Sequence, residues 1–398
     1  MKVSHILNKT LSLVTPNMHG HRRNALNAGV NSLINGAAAT VTSLGRGITS
    51  KAKEKHKIKR ADRLLSNQHL HRERTAIYQA LAQYTVGHSQ RPIILIDWSD
   101  LDEYKRHFLL RATLASHGRG LCVYEEVHNI KTKEKPATHA QFLAQLAQIL
   151  PSYCKPIIVT DAGFKTPWFR SVLAHGWDYI GRTRKPNFYS IDGYHWQCIT
   201  HLYQTASSCP RSFSGCIARR NPLTCQLVIY KKPPKGRKAF NRSGVPTQSK
   251  RAKAYIKSSR DPWLLTTSLP QGYQLAKRVV KIYSMRMQIE EGFRDMKSRR
   301  FGQGFEYNKT TDLKRLSILI LLTTLAHWIC MVLGMMAKLM DRHRDYQANS
   351  IKSYNVLSLW FIGCRVARDR YSVFSLKSCL MAVKQLQLTC EGNNYDLL

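Results

Sequence analysis

Hydrophobic and polar positions divide the chain into stretches of different period. From Met1 to about residue 90 the pattern is helical and studded with basic residues, densest in Lys51–Arg60. It leads into a short amphipathic helix, Ala61-Asp62-Arg63-Leu64-Leu65. From Arg91 the pattern changes. Pro92–Ile96 is an apolar run of buried-strand length. His107–Ala115 and Leu121–Val127 read as two further strands, with Gly118-Arg119-Gly120 as the turn between them. Ala140–Leu150 has helical spacing, Pro156–Thr160 is a second buried-strand run, and Trp177–Arg182 is another strand after a short helix. Strands first, then helix–strand alternation, predict an α/β domain with a mixed sheet. Residues 184–272 are rich in Pro, Gly, Ser and short β-like pieces such as Gln226–Tyr230, which predicts a small β-rich insertion. From about Gln274 the chain returns to helix, and residues 341–398 read as helical without legible chemistry.

One helix is unusual. Leu316–Ala337 runs 22 residues without a charged side chain, long enough to span a bilayer. Ser317, Thr323, Thr324 and His327 lie within it, and no second such run exists in the sequence. An all-round apolar helix also forms the centre of a large domain, and that is the expectation here.

Charge then narrows the function. In 398 residues there are 62 Lys and Arg against 24 Asp and Glu, a formal net charge of +38. Such an excess attracts a polyanion, nucleic acid or an anionic membrane face, and makes an enzyme for small cationic substrates improbable. The charge is unevenly spread. Up to Arg91 there are 15 Lys and Arg against Glu54, Asp62 and Glu73, and between Arg211 and Arg260 there are 14 with no acid. Lys55, Lys57, Lys59, Arg60 and Arg63 fit a helix laid on DNA phosphates. Ten scattered cysteines without a Cys-x-x-Cys pair predict reduced thiols in a cytoplasmic protein. The start of the chain, through Val14, has no signal-peptide pattern.

With so few acids, acids at strand ends are informative. Pro92-Ile-Ile-Leu-Ile-Asp97 and Pro156-Ile-Ile-Val-Thr-Asp161 share one form, a buried strand expected to deliver an Asp at its carboxyl end. Either Asp alone is explained as a cap or turn residue. Together they repel unless a cation sits between them, and hard oxygen donors select Mg²⁺ or Mn²⁺. Asp100, Asp102 and Glu103 suit a polar turn or helix start better. A third acid comes from a helix expected over Lys281–Lys297. At about 100° per residue, Tyr283, Arg286, Glu290 and Lys297 share an arc of about 60° bordering the apolar stripe. Glu291 points away from that stripe into solvent, so the geometry selects Glu290. An exposed Arg286–Glu290 ion pair is the plainer reading, but it leaves Tyr283 and Lys297 on the same line unexplained.

Tyr283-x2-Arg286-x3-Glu290-x6-Lys297, with Asp97 and Asp161 upstream, resembles the insertion sequence 4 family of bacterial DDE transposases. The resemblance covers nearly all of the chain, through Ile58–Leu65, Ile96–Asp100, Ser152–Trp168 and Met285–Lys297, and is loosest over the C-terminal 58 residues. It implies a ribonuclease H-like catalytic domain in two parts, residues 91–183 and 273–340, interrupted by the β-rich insertion, residues 184–272. Residues 1–90 would bind DNA ends and residues 341–398 would be a possible subunit contact. The implied activity is cut-and-paste transposition: metal-dependent cleavage at inverted-repeat ends through a hairpin, then strand transfer into target DNA. Asp97, Asp161 and Glu290 would be catalytic and hold two Mg²⁺ ions, with Mn²⁺ able to substitute. Tyr283, Arg286 and Lys297 would contact DNA. Trp263 aligns with a family tryptophan that holds a flipped base, though a β-core aromatic explains it equally well. The implied partners are element-end and target DNA and a second copy of the chain in the synaptic complex, without a membrane, in a nucleoid-associated cytoplasmic protein. Three alternatives stand: a nuclease that cuts without joining, a non-catalytic DNA-binding protein, and a membrane-anchored basic protein.

Overall fold

A computed structural model describes residues 3–233, 245–247, 249–250, 261–351, 354–369 and 374–395. The chain divides into two compact units. Unit 1 is Met1–Pro156 with Met287–Leu398, and unit 2 is Ile157–Arg286.

Unit 1 begins with five helices, α1 (Val3–Val14), α2 (Gly20–Ile34), α3 (Val41–Gly47), α4 (Glu54–Leu65) and α5 (Gln68–Val86). Two start on side-chain caps. Thr40 accepts from the Ser43 N–H ahead of α3, and Asn67 accepts from the Leu70 N–H ahead of α5. Three strands follow, β1 (Ile93–Asp100), β2 (His107–Leu114) and β3 (Leu121–Asn129), each antiparallel to the next, and then helix α6 (Pro136–Ile149), which opens on proline. In register, Asp97 lies opposite Arg111, and Arg111 opposite Glu125. The expected turn after β1 is a turn, not a helix start: one Asp102 carboxylate accepts from the backbone N–H groups of Tyr104, Arg106 and His107. Asp100, expected in that turn, is instead the last residue of β1, because the pairing with β2 continues to Asp100 opposite Phe108.

In unit 2, β4 (Ile157–Thr160), helix α7 (Thr166–Ala174) and β5 (Asp178–Thr183) form a parallel βαβ unit. Short strands β6 (Phe188–Ser190) and β7 (Gln197–Cys198), helix α8 (Thr200–Gln204), strands β8 (Arg211–Ile217), β9 (Leu223–Tyr230) and β10 (Trp263–Thr267), and helix α9 (Leu275–Ser284) complete it. Strand order is β4-β5-β10-β9-β8-β6-β7, antiparallel after the first pair. A mixed sheet is therefore present, as the strand and helix pattern predicts. Of the acid-free stretch Arg211–Arg260, residues 234–244, 248 and 251–260 lie outside the described residues.

Returning to unit 1, the chain forms α10 (Met287–Lys297), α11 (Leu313–Leu339), α12 (Leu359–Arg368) and α13 (Leu376–Tyr395). Helix α11 packs against α2, α5, β3, α12 and α13. Among the described residues it alone is long and apolar enough to cross a membrane, and 94% of its apolar window is buried inside the protein. It is a core helix, as expected. Its His327 stacks on Trp360 with ring centroids 5.0 Å apart. Burial lowers the His327 pKa to about 3, helped by the Arg111 and Arg119 charges, so the imidazole is neutral. All ten cysteines are free thiols, six of them buried.

Two sequence expectations need correction. The single helix over Lys281–Lys297 is two helices. The first ends in tight bonds, Met285 N to Ile282 O and Arg286 N to Tyr283 O at 3.0 and 3.1 Å, three residues apart rather than four. No glycine or proline marks this break. Helix α9 packs on strands of unit 2, whereas α10 packs on β1 of unit 1, and tertiary contacts win over helical continuity. The four-residue arc therefore does not exist as one helical face. Second, Asp97 is not at the carboxyl end of its strand, because β1 continues to Asp100. Asp161 does follow the last residue of β4 directly.

Candidate active site

The residues singled out by sequence fall into separate groups. In unit 1, Asp97 is half-buried on β1, and one of its oxygens accepts from the Trp98 N–H at 2.8 Å. Alternation along a strand puts Asp97 and Ser99 on one face. Lys297, at the end of α10, donates from Nζ to Ser99 Oγ at 2.7 Å. The contact fixes the carboxyl-terminal end of α10 on the Asp97 face of β1. Burial pushes the Lys297 pKa down, and Asp100 opposes the shift. Glu290 lies on the same helix and is exposed. Glu291 does not point freely into solvent as expected. It pairs with Arg119, and Asp295 pairs with the same guanidinium.

In unit 2, Asp161 accepts from the Gly163 N–H at 2.8 Å, which shapes the turn after β4. Tyr283 is buried, and its hydroxyl pKa is raised by burial. Arg286 and Arg182 oppose that shift, and Asp161 adds to it. Asp161 and Arg286 are therefore each within electrostatic reach of Tyr283. The Tyr283 ring meets the Trp263 ring edge-on, centroids 4.9 Å apart at 73°. Tyr230 meets Trp263 at 5.8 Å, and Lys232 Nζ lies 5.2 Å from its centroid. Trp263 is half-buried, so it is neither a sealed core aromatic nor a free one. Arg182 and Arg184 complete this group. Burial depresses the Arg182 pKa, and the Nε atoms of both are shielded without a hydrogen-bond partner among the described residues. Sequence reading missed Ser99, Arg182, Arg184, Tyr230 and Lys232. The only available signal was Arg182-Thr183-Arg184 at the end of β5, directly before exposed Lys185 and Pro186.

In the N-terminal helices, Lys55, Lys59, Arg60 and Arg63 are exposed on α4, and Lys57 is half-buried. Between α2 and α4 lies a cleft of about 400 Å³ lined by His21, Arg22, His56, Arg60 and Arg63 together with Asn67. Ala25, Leu64 and Leu70 complete its lining, so three arginines sit beside apolar side chains there.

Among the described residues no three His, Cys, Asp or Glu side chains form a group that could hold a metal by themselves. The donors do fit Mg²⁺ in kind. It prefers carboxylate oxygen, keeps several waters, and commonly takes only one or two protein carboxylates together with substrate phosphates.

The fold is mixed α/β, with one half-buried lysine beside an Asp-bearing strand in unit 1 and an aromatic–cationic cluster in unit 2. Residues 88–329 match the family of the transposase DDE domain, and the chain belongs to that family. No curated protein sequence matches it.

Proposed function

We propose that this chain is the cut-and-paste transposase of a bacterial insertion sequence, in the insertion sequence 4 branch of the DDE transposases, and similar within it to the insertion sequence 10 transposase. It cleaves DNA at inverted-repeat ends through a hairpin and joins the freed 3′-hydroxyl to target DNA. Its catalytic domain is ribonuclease H-like. The observation that best supports this reading is the Lys297–Ser99 hydrogen bond of 2.7 Å, which ties the Glu290-bearing helix to the Asp97 face of β1.

Asp97, Asp161 and Glu290 would hold two Mg²⁺ ions, with Mn²⁺ able to replace them. Bound there, the ions would supply activation of a water or 3′-hydroxyl and stabilisation of the leaving oxygen. The chain's own residues orient the strand. Lys297 and Arg286 hold phosphates beside the scissile bond, as point charge and fork respectively. Tyr283 positions the strand, and Trp263, with Lys232 against its ring, stacks on a base turned out of the duplex. Lys55, Lys57, Lys59, Arg60 and Arg63 grip the element end through its phosphates. The protein works as a homodimer in the synaptic complex, on cytoplasmic nucleoid DNA and without a membrane.

The test is nicking of a supercoiled plasmid that carries the DNA flanking the gene, in Mg²⁺. Glu290→Gln should retain DNA binding in a gel shift and lose nicking by about 1,000-fold or more, the scale of a lost essential group in phosphoryl transfer. Nicking at the wild-type rate by Glu290→Gln overturns the assignment.

A further inference from the structure

We propose that Arg119 is a positioning residue that holds the Glu290-bearing helix α10 by its back, so that its front presents Glu290 and Lys297. The inference rests on the transposase reading above. Arg119 sits in the turn between β2 and β3, within unit 1. Its Nε donates to Asp295 Oδ2 at 2.6 Å and its Nη1 donates to Glu291 Oε2. From the same turn, the Ser116 N–H donates to Gln288 Oε1 at 3.0 Å, and Gln288 Nε2 donates back to the Ser116 carbonyl at 2.6 Å. Four hydrogen bonds thus run from one turn to three side chains of an eleven-residue helix.

The placement of these contacts makes them more than a brace. At about 100° per residue, Gln288, Glu291 and Asp295 fall within an arc of about 60°, whereas Glu290 and Lys297 lie roughly 140° around the helix from it. The fastened stripe and the presented stripe are on different sides. A rotation of α10 about its axis would break the first and misaim the second. Helix α10 also begins directly after the break at Met285–Arg286, so continuity with α9 does not fix its rotation.

The turn is built to deliver Arg119. Gly118 has φ +92, a conformation that strains any side-chain-bearing residue. A Cβ on Gly120 would come within 2.4 Å of Thr113 Cγ2, so only glycine lets the turn close on β2. Ser116 Oγ donates to the Arg119 carbonyl at 2.7 Å. Arg119 and Asp295 are 14% and 7% exposed, so the pair is largely screened from water and salt. A guanidinium can span two carboxylates with fixed geometry, and an ammonium cannot.

Two measurements on the full chain test this. The first is hydrogen–deuterium exchange on metal-free protein. Arg119→Ala should speed exchange in Met287–Lys297 on the order of tenfold, through easier local opening, and leave β1 and β2 unchanged. The second is plasmid nicking in Mg²⁺. Arg119→Ala should slow it by about 100-fold, the cost of a small misplacement, while gel-shift affinity stays within about twofold. Arg119→Lys should recover only part of each loss. Should Arg119→Ala fail to fold, the shape-preserving Glu291→Gln and Asp295→Asn variants should show the same two changes at smaller size. Wild-type exchange in α10 with wild-type nicking, or slowed nicking with unchanged α10 exchange, overturns the proposal. Failure of the wild-type chain to nick, or nicking by Glu290→Gln, counts instead against the transposase reading, and the exchange measurement still decides the clamp.

Discussion

In unit 1 the buried acids find cations inside the unit. Glu125, fully buried, takes Arg111 Nε at 2.6 Å across the β2–β3 pair, and also accepts from Tyr78 and Thr324. Asp295 and Glu291 share Arg119. In unit 2 the balance is reversed around Trp263. Arg182 donates to the Asp261 carbonyl rather than to a carboxylate, and Arg184 Nε is shielded without a hydrogen-bond partner among the described residues. Arg182 and Lys232 both lie within about 6 Å of the Trp263 ring, the range of a cation–π contact. Scarce carboxylates are thus spent on fastening one unit, while the other keeps cations and rings in excess. That excess is what a polyanion with stackable bases would match.

The largest effect should come from breaking the internal pairing. Glu125→Ala leaves Arg111 buried without its carboxylate, and should cost about 3–5 kcal/mol of stability in chemical denaturation, the usual loss for half of a buried pair. A loss below about 1 kcal/mol would mean that unit 1 is not held in this way. The next effect sharpens the unit 2 side. Trp263→Ala should weaken binding to single-stranded DNA by about 1–3 kcal/mol, nearly equally at low and high salt, because stacking is lost rather than charge. Lys232→Ala should instead reduce the salt dependence of binding by about one ion. Salt-independent loss for Lys232 and none for Trp263 would reverse the roles.

The last effect shows only below about pH 6.5 and concerns the neutral imidazole of His327. The His327 pKa is about 3 in the folded protein, against an ordinary value near 6.5. Between these values the unfolded chain binds a proton that the folded chain does not. Stability therefore falls as pH drops from about 6.5 toward 3. His327→Phe should flatten that part of the stability curve in pH-resolved denaturation, and an unaltered slope would show that His327 does not contribute to it.

Much of the fold was legible because its elements are either wholly buried or periodic. The apolar runs before Asp97 and Asp161 formed β1 and β4, and Leu316–Ala337 formed the buried core of α11. What could not be read depends on partners far away in sequence. The break before Met287 carries no breaker residue, and follows only from α9 packing on strands of unit 2 and α10 on β1 of unit 1. Glu291 read as solvent-facing because its partner, Arg119, lies 172 residues away. Glu125 was invisible for the same reason: an acid inside a strand reads as an exposed position until Arg111, Tyr78 and Thr324 are brought around it. At the site, residue types were legible and neighbours were not. Lys297 carried a spacing signal, but Ser99, which orients it, carried none.

The most direct test of the central claim is joining rather than cutting. A pre-cleaved end from the DNA flanking the gene is incubated with the protein, Mg²⁺ and a supercoiled target plasmid. Wild type should convert it to a covalently joined product, and Asp97→Asn should yield none. Nicked target without joined product, or equal joining by Asp97→Asn, would contradict the account.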